Sequence, residues 1–421
     1  MALQWVQTNI GAFNGDSSRV AIFGQSAGAF SVCQHYANAE ASTGLFHAAM
    51  MESGNCNTPE FFFQEDDALE FGAEYSKIIG CDVSSPSYLD CMAGLSTAEV
   101  MIGLNALVPS TSLDEFFLES NMTFVPPLSP IMPFGPVIDG TTDGTPRMPL
   151  DGISFGLSMA SQGVPLVIGS TSNEVRRSEA TSNDATDASL FAGHFACRSV
   201  SAAKISVVAV AFSSQGSIFV PMLSEIVEDL NFPISNDDVK VAIHHILDPI
   251  MGVDAVNDNY DGLMAQYPIS DYNEPRAQLS IILRDYMFLC PSRRAARAAS
   301  DSGASNVFLY QFDFHPYTWP DFDALGDYHG AEIYFIWDTA GPGMELIHPF
   351  FEAEKTMVTV MQDFVGNLAA TGDVNGAATK TKWPAFTREN DAFITLKETP
   401  VPGTGLNSAV CDFHDEMLGF P

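Results

Sequence analysis

Apolar positions along the chain fall into two kinds of segment that alternate. Short runs around Arg19–Phe23, Ala48–Glu52, Val164–Ile168 and 306–312 are apolar almost throughout. They have the length of strands and no polar face, so they predict strands covered on both sides. Elsewhere apolar residues recur three and four apart, which predicts helices near 66–79, 96–106, 217–230, 237–246, 275–299 and 349–371. Leu3, Trp5, Val6 and Ile10 carry the same spacing at the start of the chain, and a helix of small residues is expected up to about Ala37. The proline-rich stretch at 125–136, VPPLSPIMPFGP, reads as loop. Strands alternating with helices predict an α/β fold with a largely parallel sheet between helical layers.

One turn in this pattern carries chemistry. The strand ending at Phe23 runs into Gly24-Gln25-Ser26-Ala27-Gly28 and then directly into a helix. A serine projecting from so sharp a turn needs neighbours without side chains, so that strand and helix can approach. The Ala27 N–H, at the helix start, is placed to help hold an oxyanion. Taken alone, Gly-x-Ser-x-Gly also arises as an ordinary glycine-rich turn; its position between a strand and a helix favours a nucleophile.

Composition narrows the function classes. The chain has 421 residues, 46% hydrophobic and 17% charged, enough for one large α/β domain or two ordinary ones with a substantial core. No apolar run approaches the roughly 18–20 residues of a membrane-spanning helix. With 52 acidic against 18 basic side chains the net charge is −34, which repels phosphate backbones and anionic lipid surfaces and argues against nucleic-acid partners. A solvated acidic surface accounts for this charge; steering of cationic substrates is the sharper alternative. Seven cysteines are present without a CxxC pair, so neither a zinc site nor a redox dithiol is indicated. Cys81 and Cys91 enclose the short polar segment DVSSPSYLD, as a disulfide-closed surface loop would.

The block ALQWVQTNIGAFNGDSSRVAIFGQSAGAFSV at 2–32 resembles the nucleophile region of the type-B carboxylesterases, the group that holds cholinesterases and fungal lipases. Further similar blocks follow in order: MESG at 51–54, FGPVIDG at 134–140, VIGSTSNE at 167–174, DYHGAEIYFIW at 327–337, FVGNLAATGDVN at 364–375, WPAF at 383–386 and CDFHDEM at 411–417. The resemblance implies an α/β-hydrolase fold and hydrolysis of small-molecule or lipid carboxylic esters through an acyl-serine intermediate, without cofactor or metal. It makes Ser26 the nucleophile, Glu174 the triad acid and His329 the base, with Asp139 and Asp313 as rival acids of structural appearance. Gly24, Gln25 and Gly28 shape the elbow, and Ser53 matches a buried serine that supports the histidine, or else a satisfied core hydroxyl. The same resemblance pairs Cys81 with Cys91 and Cys290 with Cys411, which favours an oxidising, extracellular location. Relatives usually carry Glu where this chain has Gln25, so a strong preference for cationic substrates is not expected. The competing reading is a catalytically dead fragment or an adhesion-type relative, disfavoured because all three triad positions are kept. Oligomeric state is not indicated.

Two departures from the family pattern yield further expectations. Relatives place a glycine-rich HGG-type loop well upstream of the nucleophile, whereas only 25 residues precede Ser26. Met1 is accordingly expected to be an internal methionine, and 1–421 a single α/β-hydrolase domain lacking its N-terminal strands. Segment 175–215 is unlike its surroundings: nine Ala and eight Ser among its residues, with Arg176, Arg177, Arg198 and Lys204 against three acids. Its removal would join Glu174 to Gly216 in a smooth family-like turn, and its ends can be encoded as splice sites. It reads as a retained in-frame intron or, failing that, a surface insertion that would spring from the triad acid like a lid.

Overall fold

The computed structural model describes residues 1–55, 63–101, 135–138, 163–172, 206–209, 234–304, 306–315, 327–339 and 350–420. Its strands, in chain order, are β1 (Val20–Gln25), β2 (Ala48–Glu52), β3 (Phe63–Gln64), β4 (Val137–Ile138), β5 (Leu166–Thr171), β6 (Ser206–Ala209), β7 (Val307–Phe312), β8 (Ala392–Leu396) and β9 (Val401–Thr404). Seven of these form one sheet in the order β6-β1-β2-β5-β7-β8-β9, and β3 pairs with β4 separately. Every pair in the large sheet is parallel except β8 with β9.

Two compact units can be distinguished, one of Met1–Asn57, Met148–Val220 and Gly262–Pro421, the other of Thr58–Arg147 and Pro221–Asp261. The first holds the large sheet. The second holds β3 and β4, the helices Glu65–Ile78, Tyr88–Gly94 and Asn236–Met251, and the Cys81–Cys91 disulfide.

In the first unit β1, β2 and β5 are buried along their whole length, as continuously apolar strands require. Phe23, Met50, Val167, Phe308, Tyr310 and Phe312 share a cluster with Phe335 and Ile336 of helix Glu332–Trp337. Met357, Met361, Phe364 and Leu368 of helix Glu352–Thr371 complete that layer. Alternate residues such as Ile22, Met51 and Ile168 point to the opposite face, and helices Ala27–Ala37 and Cys290–Asp301 pack against these strands. Each such large side chain contributes about 1.5–3 kcal/mol on full burial, so this core is the chief stabilising element of the unit.

The helix expected over 275–299 is interrupted. Helix Pro275–Arg284 passes into a π-helical turn, Asp285–Leu289, and then into Cys290–Asp301. Pro291 has no N–H to donate and its ring crowds the carbonyl four residues back, so the ladder widens just ahead of it. The helix expected at 217–230 lies outside the described residues. Of segment 175–215 only 206–209 are described; they form β6, which pairs in parallel with β1 from Val20↔Ser206 to Phe23↔Ala209.

Candidate active site

One rung of the sheet organises the site. Gln25, Glu52, Gly169, Tyr310 and Ile394 are successive register partners across β1, β2, β5, β7 and β8. The loops that follow this rung leave the carboxyl ends of parallel strands, where α/β sheets assemble their sites. Ser26 and Ser53 come next after β1 and β2, Ser172 follows β5, and Asp313 follows β7.

Ser26 sits at φ 55° and ψ −118°, a conformation that L residues rarely adopt. Its N–H donates to the Glu52 carbonyl at 2.8 Å and its carbonyl accepts from the Phe30 N–H at 3.0 Å, so strand and helix hold the turn from both sides. A Cβ at Gly24 would lie 2.5–2.8 Å from backbone atoms of Gly28. The two glycines thus bring strand and helix backbones into direct contact. Gly24→Ala is expected to destabilise the chain by about 3 kcal/mol or more, because backbone cannot move aside as a side chain can. Urea unfolding of the two proteins checks this, and equal midpoints would refute it. Gly54 is constrained in the same way, its Cβ position lying 2.8 Å from the Ser26 carbonyl oxygen.

His329 is 1% exposed, in the loop that leads into helix Glu332–Trp337. The ring of Phe288, delivered by the π turn, stands 4.9 Å from its imidazole. The next residue, Gly330, has φ +84°, and a Cβ there would be 3.4–3.5 Å from the Gln25 carboxamide. The residue before Ser26 and the residue after His329 are therefore near neighbours. The Gln25 side chain is 3% exposed, and among the described residues neither Nε2 nor Oε1 has a hydrogen-bond partner.

Ser53 is fully buried at φ 50°, its N–H donating to the Gly169 carbonyl at 2.8 Å. Asp313 is exposed; its carboxylate lies 3.8 Å from Lys397 Nζ and 3.3 Å from Ser172 Oγ. Glu174 and Asp139 lie outside the described residues. Cys290 and Cys411 are disulfide-bonded, tying the start of helix Cys290–Asp301 to the last helix, Ser408–Met417, and Cys33 is disulfide-bonded as well.

Two acidic residues of the site are not singled out by motif. Glu52 ends the apolar strand AAMME, is 1% exposed, and burial pushes its carboxyl up to about 8, so at neutral pH it is largely protonated. Asp327, two residues before His329, is 4% exposed and accepts hydrogen bonds from Ser172. An acid closing an otherwise apolar strand is the one pattern that points to Glu52. Asp327 has none, because its partner is 155 positions away. Among the described residues no cluster of His, Cys, Asp and Glu is placed to hold a metal ion, and no helix is long and apolar enough to cross a membrane.

Comparison with known proteins gives a consistent result. The chain is similar to the crystal protein of Dictyostelium discoideum, at 24% identity over 99% of this chain and 62% of that protein. It is similar to the acetylcholinesterase of Bungarus fasciatus, at 26% over 99% of this chain and 58% of the relative, and to the cholinesterase of Mus musculus, at 26% over 94% and 55%. The chain thus spans little more than half the length of these curated relatives. Among solved structures it resembles a PNB esterase, with a TM-score of 0.61, 20% identity, and coverage of 98% of this chain and 67% of the other. That likeness gives the α/β-hydrolase fold, in keeping with the mostly parallel sheet. The model of the family described as "Carboxylesterase family" matches residues 1–414, and the chain therefore belongs to the carboxylesterase family, of the type-B kind.

Proposed function

We propose that this chain carries a serine ester-hydrolase site acting on small-molecule or lipid carboxylic esters. The observation that carries the reading is the elbow at Ser26: a non-glycine residue at positive φ, wedged between Gly24 and Gly28, beside the His329 loop. Strain of this kind costs about 1–3 kcal/mol and persists where the surroundings over-determine it, as at nucleophile turns.

In the proposed reaction Ser26 Oγ attacks the ester carbonyl while His329 takes its proton. The Ala27 N–H, in the first turn of the helix, donates to the developing oxyanion. His329 then gives the proton to the departing alcohol, leaving an acyl-serine, and water repeats the sequence to release the acid. Glu174 orients the imidazole and stabilises its charged form. Gln25 brings no charge to the site and burial keeps Glu52 largely neutral at pH 7, which disfavours strong selection for cationic alcohols. The disulfides favour folding in an oxidising compartment, and we infer secretion from them.

The test is phosphonylation. A fluorophosphonate probe is expected to add one adduct to the folded chain, located by mass spectrometry on the peptide that contains Ser26. Heat-unfolded protein is expected to remain unlabelled. p-Nitrophenyl butyrate is expected to be hydrolysed by the same preparation. A folded chain that neither labels nor turns over would be a non-catalytic family member, and the reading would be abandoned.

A further inference from the structure

We propose that Ser172 and Asp327 are a positioning pair that holds the His329 loop in register with the nucleophile elbow. The inference deepens the ester-hydrolase reading and rests on it.

Ser172 follows β5 immediately, and every polar group it has is engaged. Its Oγ donates to Asp327 Oδ2 at 2.5 Å. Its N–H is shared between that same oxygen and the Phe312 carbonyl, each at 2.8 Å. Its carbonyl accepts from Arg284 Nη1 at 3.0 Å, and Arg284 is itself fixed by Asp285, with Nε to Oδ1 at 2.7 Å. Asp313 also faces the hydroxyl, but at 3.3 Å against 2.5 Å; one proton cannot serve both well, and the shorter contact prevails.

Two donors from one residue therefore converge on one oxygen of a carboxylate that is almost fully buried. Charge-assisted bonds of this kind are roughly twice as strong as neutral ones. Breaking them would leave a buried carboxylate without these two donors, so the pair resists opening.

The location decides what the pair does. Asp327 anchors the loop to the end of β5 two residues before His329, and Gly330 lies close to Gln25 one residue after. Phe288 closes a third side of the imidazole. These contacts limit how far the ring can shift relative to the Ser26 turn. Without the Asp327 anchor the loop would lose its tie to the end of β5.

The experiment compares the full chain with Asp327→Asn, Ser172→Ala and Ser172→Thr. Thermal unfolding, kcat and KM for p-nitrophenyl butyrate, and the rate of Ser26 phosphonylation are measured for each. Asp327→Asn and Ser172→Ala are expected to lower kcat about ten- to a hundredfold, as a small misplacement of a reacting group does. Phosphonylation should slow in parallel while KM stays within about twofold, because substrate contacts are untouched. Ser172→Thr, which restores the hydroxyl, should recover most of the loss. Folded variants with wild-type kcat would overturn the proposal, as would a loss confined to KM or to the folded fraction. If Asp327→Asn does not fold, Ser172→Ala decides, since it leaves the carboxylate its backbone donor. A wild-type chain that neither labels nor turns over sinks the ester-hydrolase reading and this pair with it; an active wild type with indifferent variants sinks the pair alone.

Discussion

Ser26→Ala is expected to lower kcat for a simple ester by about a millionfold, His329→Ala by a similar factor, and the double variant by no more than either single change. A loss of that size corresponds to roughly 8 kcal/mol of transition-state stabilisation. The reason for non-additivity is mechanical. The serine hydroxyl is a weak nucleophile until the imidazole takes its proton, and the imidazole has nothing to activate once the hydroxyl is gone. Each deletion therefore removes the whole covalent route and leaves whatever the oxyanion donor and binding supply. The structural basis is the nearness of the two loops, with Gly330 close to Gln25 and each next to one of the two residues. Measuring kcat for the four proteins on p-nitrophenyl butyrate completes the cycle. If the two losses multiply, the residues act independently and the shared proton transfer is wrong.

Stability is expected to be greatest between about pH 4.5 and 6.5 and to fall on both sides, through two buried groups shifted in opposite directions. His414 is held down to about 3 from 6.5, first by burial and then by the Arg294 guanidinium nearby. Its Nε2 lies 2.8 Å from Tyr267 Oη, which also donates to Asp285 at 3.1 Å. Because the folded value is depressed, the neutral ring is favoured in the fold. Its contribution is complete above pH 6.5 and is lost as pH falls from there toward 3. Glu52 is the reverse case: burial raises it from 4.5 to about 8, so its contribution is complete below 4.5 and is lost as pH rises toward 8.

Each group changes stability by about 1.4 kcal/mol per pH unit across its own window. Between 4.5 and 6.5 the two slopes cancel, which makes a plateau. Asp285, pushed up from 3.8 by burial against the pull of Arg284, acts in the same sense as Glu52, its contribution falling as pH rises from there. The net charge of −34 adds to the decline on the alkaline side, but that surface repulsion is screened by salt, whereas the cost of ionising a buried carboxyl is not. Urea unfolding from pH 3 to 9 at low and high salt separates the two. Glu52→Gln is expected to flatten the alkaline arm that survives in high salt, and His414→Phe the acid arm. An alkaline arm in Glu52→Gln as steep as in the parent would show that the carboxyl is not the cause.

Legibility in the sequence follows the range of the interactions. The elbow is local: strand, glycine, serine, glycine and a helix of small residues are contiguous, so Gly24, Ser26 and Gly28 announce themselves. The mostly apolar runs that became β1, β2, β5 and β7 are equally local, because burial on both faces favours apolar residues throughout and confines polar ones to their ends. Helix 275–299 shows the limit: its period was readable, but widening of the ladder ahead of Pro291 turned part of it into a π turn.

What only the tertiary structure decided are the pairings between strand ends. The order of the sheet set Glu52 beside Gln25 and closed both away from water, which is why a carboxyl unremarkable in MESG is held protonated. The same order brought Ser172 to Asp327 and gave β1 a neighbour in 206–209. Hydrophobic period reports which face of an element is covered. It carries no information about which distant element does the covering. Register and loop closure settle that when the parallel strands assemble, and with it which polar groups share a proton, a partner or a site.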